Sequence, residues 1–250
     1  MSNYKEIKTR QQFDSIPFHV ADQSGEDLLF FQIPPLTDFI DKISKDELVL
    51  DIGCGTGRTT LYMLNKGLQV VGLEISYKSL ELIRGEFPAQ LVQATNIELP
   101  LGTGTVDVAI SDGVIPYTDD PYKALSETLR SLKSGGRALV AVYKRNHFYY
   151  YAYTYAGGLM RFINNYSIGA KLLTSIALPA YHFARNILRR NRKSSLNKSK
   201  ALFYSYFMSP KISFFTKTQV MEWVNTLGAE CTDYEPCDGW SAHVFIINKA

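Results

Sequence analysis

The sequence predicts an open α/β sheet, doubly wound and mostly parallel, closed by an antiparallel terminal strand and interrupted by a helical insertion. Three observations carry this. Apolar runs of strand length alternate with stretches of helical spacing from residue 34 to residue 142. The links between them are short, and glycine, proline or a capping residue marks most boundaries. Two more short strands close the chain around the turn-rich stretch 235–241, so seven strands are expected in all.

Residues 1–33 are mixed, with Phe13, Phe18, Phe30 and Phe31 among polar neighbours. Pro34-Pro35 opens a helix to 43, since proline is tolerated in a first turn. The first strand is 48–51, followed by a helix over 59–66 that Gly67 stops. The second strand is 68–74. Ser76 caps a helix to 87, halted by Pro88. Strands follow at 89–95 and 106–111. Asp120-Pro121 starts a helix whose apolar positions, Ala124, Leu125, Leu129 and Leu132, lie near helical spacing. Ser134-Gly135-Gly136 ends it, and 137–142 is the fifth strand. Over 145–215 the pattern breaks: no strand is evident, 168–190 is helix-like, and a polar basic tract covers 189–200. Thr216 and Gln219 have capping-box spacing for a helix to 227, stopped by Gly228. Strands 231–234 and 242–248 complete the chain.

A chain of 250 residues with 46% apolar residues is enough for one large α/β domain with an insertion. Cys54, Cys231 and Cys237 form no metal or disulfide pattern, which points to reduced thiols and a cytoplasmic protein without a bound metal. The polar N-terminus lacks the apolar core of a signal peptide. No run reaches the ~20 apolar residues of a membrane span; the best candidate, 168–184, is broken by Lys171, Pro179 and His182. The net charge of +3 hides a segregation: between Glu127 and Glu222 there are sixteen lysines and arginines and no acid. The rest of the chain holds eleven basic against 24 acidic side chains in total. A basic segment on an acidic scaffold suggests an anionic partner.

The chemistry centres on Leu48-Val49-Leu50-Asp51-Ile52-Gly53-Cys54-Gly55-Thr56-Gly57. A buried strand runs into a tight turn and then a helix, and glycine lets the backbone approach a ligand closely. About twenty residues on, Val70-Val71-Gly72-Leu73 ends in Glu74, where an acid can accept from the two hydroxyls of a ribose. In the dinucleotide fingerprint two residues separate the second and third glycines; here only Thr56 does. The compact turn suits a nucleoside cofactor with an amino acid tail better than a diphosphate.

The segment 49–57 resembles the first motif of class I S-adenosylmethionine-dependent methyltransferases. Leu99-Pro100-Leu101, Val106-Asp107-Val108-Ala109 and the run from Asp119-Asp120-Pro121 through Glu127 and Arg130 to Gly135-Gly136 are similar to the small-molecule subfamily of that superfamily. The resemblance covers about residues 45–145 and resumes near 216. It implies a Rossmann-like sheet and a single domain in four parts: an N-terminal helical cap (1–45), a cofactor-binding core (46–144), an aromatic and basic insertion serving as substrate lid (145–215), and C-terminal elements completing the sheet (216–250). S-adenosylmethionine is the implied cofactor. Asp51, Gly53, Cys54, Gly55 and Gly57 would form the turn that holds its methionine part. Glu74 would take the ribose and Ile75 one face of adenine, with Asn96 and Ile97 at the adenine edge. Ser111, Asp112 and Gly113 would border the sulfonium. Three departures stand out: Thr95 where the family often has an acid, Lys133-Ser134 in place of lysine-proline, and Pro116-Tyr117 in place of a histidine pair.

Methyl transfer from a sulfonium is an in-line displacement of an already activated donor, so alignment and exclusion of water are the main tasks. A base is needed only when the acceptor must lose a proton, and no residue is singled out as one. Tyr117, Tyr143, His147 and Tyr150 are candidates for acceptor contact. Seventeen tyrosines and phenylalanines between Tyr143 and Phe215 suggest an apolar or planar acceptor site. The expected acceptor is small or amphiphilic, and anionic if the basic segment contacts it. Contact with a membrane surface through 168–200 is an alternative role for the basic stretch, and packing as a helical lid is the plainer one. No Asn-Pro-Pro-Tyr or Asp-Pro-Pro-Tyr is present, which argues against amino-methylating DNA enzymes. Nucleic acid is a weaker expectation, in the form of an RNA methyltransferase using basic and stacking residues. A catalytically silent binding subunit is the remaining alternative.

Overall fold

The computed structural model describes residues 3–15, 34–85, 89–188 and 195–250. The expected stop at Pro88, the aromatics Phe18, Phe30 and Phe31, and most of the basic tract lie outside them. Helix α1 (Asn3–Ser15) and α2 (Pro34–Asp41) precede a βα alternation: β1 (Leu48–Ile52), α3 (Arg58–Asn65), β2 (Gln69–Glu74), α4 (Tyr77–Ile83), β3 (Gln90–Gln93), β4 (Val106–Asp112), α5 (Pro121–Ser131) and β5 (Leu132–Tyr143). Two long helices follow, α6 over 148–164 and α7 over 167–188, each containing a π-helical turn, and then α8 over 196–208. The chain ends with α9 (Lys217–Thr226), β6 (Ala229–Cys237) and β7 (Ala242–Lys249).

The seven strands form one sheet in the order β3-β2-β1-β4-β5-β7-β6. All neighbours are parallel except β7, which runs antiparallel to both β5 and β6. The order reverses between β1 and β4, and ligands of open α/β sheets bind beyond the strand C-termini at such a switch point.

The apolar runs divide between two cores by the period-two alternation of strand side chains. Val49, Val108, Ile110 and Leu139 face α2 and α3, packing with Leu36, Phe39, Ile40 and Met63. Leu50, Ala109, Ala138 and Val140 face the other way, toward Leu125 and Leu129 of α5 and Val220 and Val224 of α9. Continuous apolar runs were therefore the right signal for strands covered on both sides. Ser76, Asp120 and Thr216 cap their helices by accepting the N–H groups of Ser79, Lys123 and Gln219.

Several boundaries differ from expectation. The helix after Asp120 ends at Ser131, and β5 starts at Leu132 with a register shift opposite β4. Ser134-Gly135-Gly136 is thus an irregularity at the start of β5, with Gly135 at φ +74°. The last strands are longer than the sequence pattern indicated, because pairing with β7 extends β6 over mixed polar residues. The insertion leaves and rejoins the sheet at one place: Lys144 bridges Phe215, and Phe215 N–H donates to Tyr143 O at 2.9 Å.

Candidate functional site

The glycine turn follows β1 directly and is stitched to the end of β2. The N–H groups of Gly53 and Cys54 both donate to Leu73 O, at 2.6 and 3.0 Å. Gly53 and Gly55 adopt φ of +69° and +57°. At Gly53 the need is twofold, because an added Cβ would also lie 2.4 Å from Val114 Cγ2. The turn therefore packs its bare backbone against the loop after β4.

Glu74 ends β2 facing this turn. One carboxylate oxygen accepts from Gly55 N and the other from Ser76 N, each at 2.9 Å. Burial pushes its carboxyl above the usual range, opposed by those backbone bonds. Asp51 lies deeper and accepts the Thr60 hydroxyl at 2.6 Å. Burial raises its pKa to about 6 despite that bond. Asp112, at the end of β4, pairs with Arg58 at 3.1 Å, and burial outweighs the guanidinium in raising its pKa.

These elements enclose one cleft at the C-terminal ends of β1 to β5. Its apolar walls are Leu73, Ile75, Ala94 and Val114; its polar groups include Glu74, Ser79, Asn96, Asp112 and Thr118. Asn96 is 8% exposed, and its Nδ2 has no hydrogen-bond partner among the described residues. The segment behind it is pinned by Glu127, which accepts from Leu99 N at 2.9 Å, and by Arg130, which donates to Leu99 O and Leu101 O. Beyond Gly113 the cleft becomes aromatic. Tyr117 and Tyr143 hydroxyls meet at 3.3 Å, and burial holds both phenols well above their usual pKa. Phe13 packs edge-on against Tyr117, and Tyr149 against Tyr143.

Of the sequence-derived candidates, Gly53, Gly55, Glu74, Ile75, Asn96, Asp112, Gly113, Tyr117 and Tyr143 line the cleft. The others lie elsewhere. Asp51 is buried beneath the turn, and Gly57 caps α3. Cys54 packs sideways on Leu80 and Ile83, and Ile97 packs against the main core. Ser111 is fully buried in β4, its Oγ without a partner among the described residues. His147 is turned away to Ser241 Oγ at 2.6 Å, and Tyr150 packs on Phe214. No described residue of 145–215 lines the cleft. The wall expected from that insertion is supplied instead by Thr9 and Phe13 of α1. Asp14 anchors this helix by accepting Ser76 Oγ at 2.8 Å. Residues 3–15 carry no apolar stripe, so only the single phenylalanine, Phe13, could have signalled this contribution.

An acid on two backbone donors, apolar walls and one orphaned carboxamide suit a nucleoside: hydroxyls for Glu74, a flat ring between the walls, and a purine edge for Asn96. Comparison with known proteins assigns part of the chain. Residues 50–140 match the family described as a methyltransferase domain. Residues 50–140 are a class I methyltransferase domain. The cofactor of such a domain is S-adenosylmethionine. The chain is 34% identical over 93 residues to malonyl-[acyl-carrier protein] O-methyltransferase of Hamiltonella defensa, covering 37% of this chain and 36% of that one. The chain is 33% identical over 124 residues to tRNA (carboxymethyluridine(34)-5-O)-methyltransferase alkbh8 of Xenopus tropicalis, covering 45% of this chain and 19% of that one. The chain thus spans well under half the length of these curated relatives. The fold around the methyltransferase domain extends further. All of this chain and 91% of Burkholderia thailandensis 1,6-didemethyltoxoflavin-N1-methyltransferase, solved with S-adenosylhomocysteine, superpose with a TM-score of 0.60 at 16% identity. At that identity the likeness concerns the fold alone.

Proposed function

We propose that the protein transfers the methyl group of S-adenosylmethionine to a small or amphiphilic acceptor. The observation that carries this is Glu74: a nearly buried carboxylate, fixed by two backbone donors, at the mouth of a left-handed glycine turn. When bound, the cofactor would supply a methyl group already activated on a sulfonium. Gly53 and Gly55 would leave room for its methionine part, beside Asp112. Glu74 would accept from the ribose hydroxyls, while Ile75 and Asn96 would hold the face and edge of adenine. Asp51 acts through Thr60, keeping the first turn of α3 in place under the glycines. Residues 46–144 together with α1 handle the cofactor in this reading, and 145–215 backs the acceptor side from behind, through Tyr149 packed on Tyr143.

The acceptor would lie beyond Gly113, against Tyr117 and Tyr143. Both phenols stay protonated because burial raises their pKa, so they orient an acceptor by donating hydrogen bonds rather than by taking its proton. Phe13 and the two tyrosines exclude water on that side. An RNA acceptor is the second reading, favoured by the named activity of the tRNA-modifying relative.

Incubation of the purified protein with methyl-labelled S-adenosylmethionine and separate metabolite, lipid and RNA fractions tests the proposal. Label in the metabolite or lipid fraction is expected. Label confined to RNA would replace the acceptor class, and no label in any fraction would overturn the enzymatic reading.

A further inference from the structure

We infer that the outward faces of α6 and α7 form a docking surface for an anionic lipid bilayer. Eleven of the sixteen large apolar side chains exposed among the described residues lie between Phe148 and Ile187. Along α6 they recur as Phe148, Tyr151, Tyr155, Leu159 and Phe162, with Tyr166 in the link that follows, and their exposures run from 47% to 80%. Steps of three and four place them on one side of the helix. Helix α7 continues with Ile168, Leu172, Ile176, Phe183 and Ile187, all at least half exposed.

The opposite faces are already committed. Tyr153 and Gly157 of α6 are buried, and a Cβ on Gly157 would lie 3.0 Å from Phe207 O of α8. Helix α7 buries Gly169, Leu173 and Leu178. The core therefore has no use for the outer stripes, and water disfavours a contiguous apolar face of this extent.

Charge selects the occupant. No acid lies between Glu127 and Glu222, so nothing in the insertion repels an anionic headgroup. Arg161 and Arg185 turn inward, the former over the Tyr153 ring, whereas Arg145, Lys171 and Lys200 are exposed. A second copy of the chain would bring two acid-free insertions, with their exposed Arg145, Lys171 and Lys200, together. An RNA would stack on the aromatic positions but leave the aliphatic stripe of α7 uncovered. A bilayer interface covers both, with basic residues at the headgroups and apolar side chains below them. No helix among the described residues is long and apolar enough to cross a membrane, so these helices would lie in the interface.

This inference rests on the helix surfaces and not on the methyl-transfer reading, and the test keeps the two apart. The full-length protein is sedimented with vesicles of phosphatidylcholine alone or mixed with phosphatidylglycerol. Partitioning onto the anionic vesicles should be about tenfold stronger or more, and should weaken as salt is raised. Combining Ile168→Glu with Ile176→Glu, at sites 73% and 62% exposed, should abolish it while thermal stability and S-adenosylmethionine affinity stay unchanged. Equal binding to both vesicle types, or full binding by the variant, overturns the inference. So does a wild-type dimer that the variant splits with no vesicle binding, or a labelled tRNA complex lost in the variant with no vesicle binding.

Discussion

The cofactor end of the cleft and the insertion beyond it spend their side chains in opposite ways. Around Gly53 to Gly57, the chain works with backbone atoms and single polar groups, each fixed by the end of a parallel strand. Over 148–208, it works with many rings on helices, some buried behind Tyr143 and others exposed to solvent. A strand end has one register and therefore one position for Glu74, Asn96 or Asp112. A helix surface has no such register with the sheet, and its aromatic residues can back the cleft without entering it. The first region fixes single polar groups in place; the second shapes surfaces.

Perturbing the glycine turn should separate the regions most strongly. Gly53→Ala combines the cost of a left-handed side-chain residue with overpacking on Val114, together about 4 kcal/mol. Urea denaturation should record that loss, and Gly53→Ala with Val114→Ala should recover the overpacking part. A wild-type midpoint in the single variant would show that the turn tolerates a side chain.

Next comes Asp51, whose folded pKa of about 6 lies above the ordinary carboxylate value. The fold then retains a proton that the unfolded chain has released. Stability from this group is complete below about pH 4 and is lost as pH rises through 6, by about 3 kcal/mol in all. Asp51→Asn keeps an acceptor for Thr60 and removes the titration. The variant should therefore gain on wild type between pH 4 and 7.5, and an unchanging difference would refute the assignment.

The smallest effects set α1 against the insertion. Phe13→Ala should weaken S-adenosylmethionine binding a few-fold, by about 1 kcal/mol of lost apolar contact. His147→Ala and Tyr150→Ala should leave it within about twofold in the same calorimetric titration, since neither side chain lines the cleft. Insertion variants that weaken the cofactor more than Phe13→Ala would reverse the comparison.

What the sequence made legible follows the same division. The glycine turn, the place of Glu74 at the end of β2 and the strands up to β5 were readable because buried strands, caps and φ-demanding glycines leave local signals. The part α1 plays in the cleft was not, because residues 3–15 hold to the domain through scattered long-range contacts, Asp14 to Ser76, Phe13 to Tyr117 and Gln12 to Tyr204. Helix α6 was hidden by its ring-rich run, Phe148 to Tyr151, whose β-propensity masks a helical face that only the neighbouring helices define. The exclusion of Ile97 and His147 from the cleft could not be read either. Position after a strand end does not say which way a side chain turns.

The central claim is that Glu74 is the anchor of an S-adenosylmethionine site. Calorimetric titration of S-adenosylmethionine into wild type and Glu74→Ala tests it directly. Wild type should bind, and the variant, folded by circular dichroism, should lose about 1.5–3 kcal/mol, the usual value of hydrogen bonds to a charged group. Equal affinity in the two proteins, or no binding to wild type at near-millimolar cofactor, would contradict it.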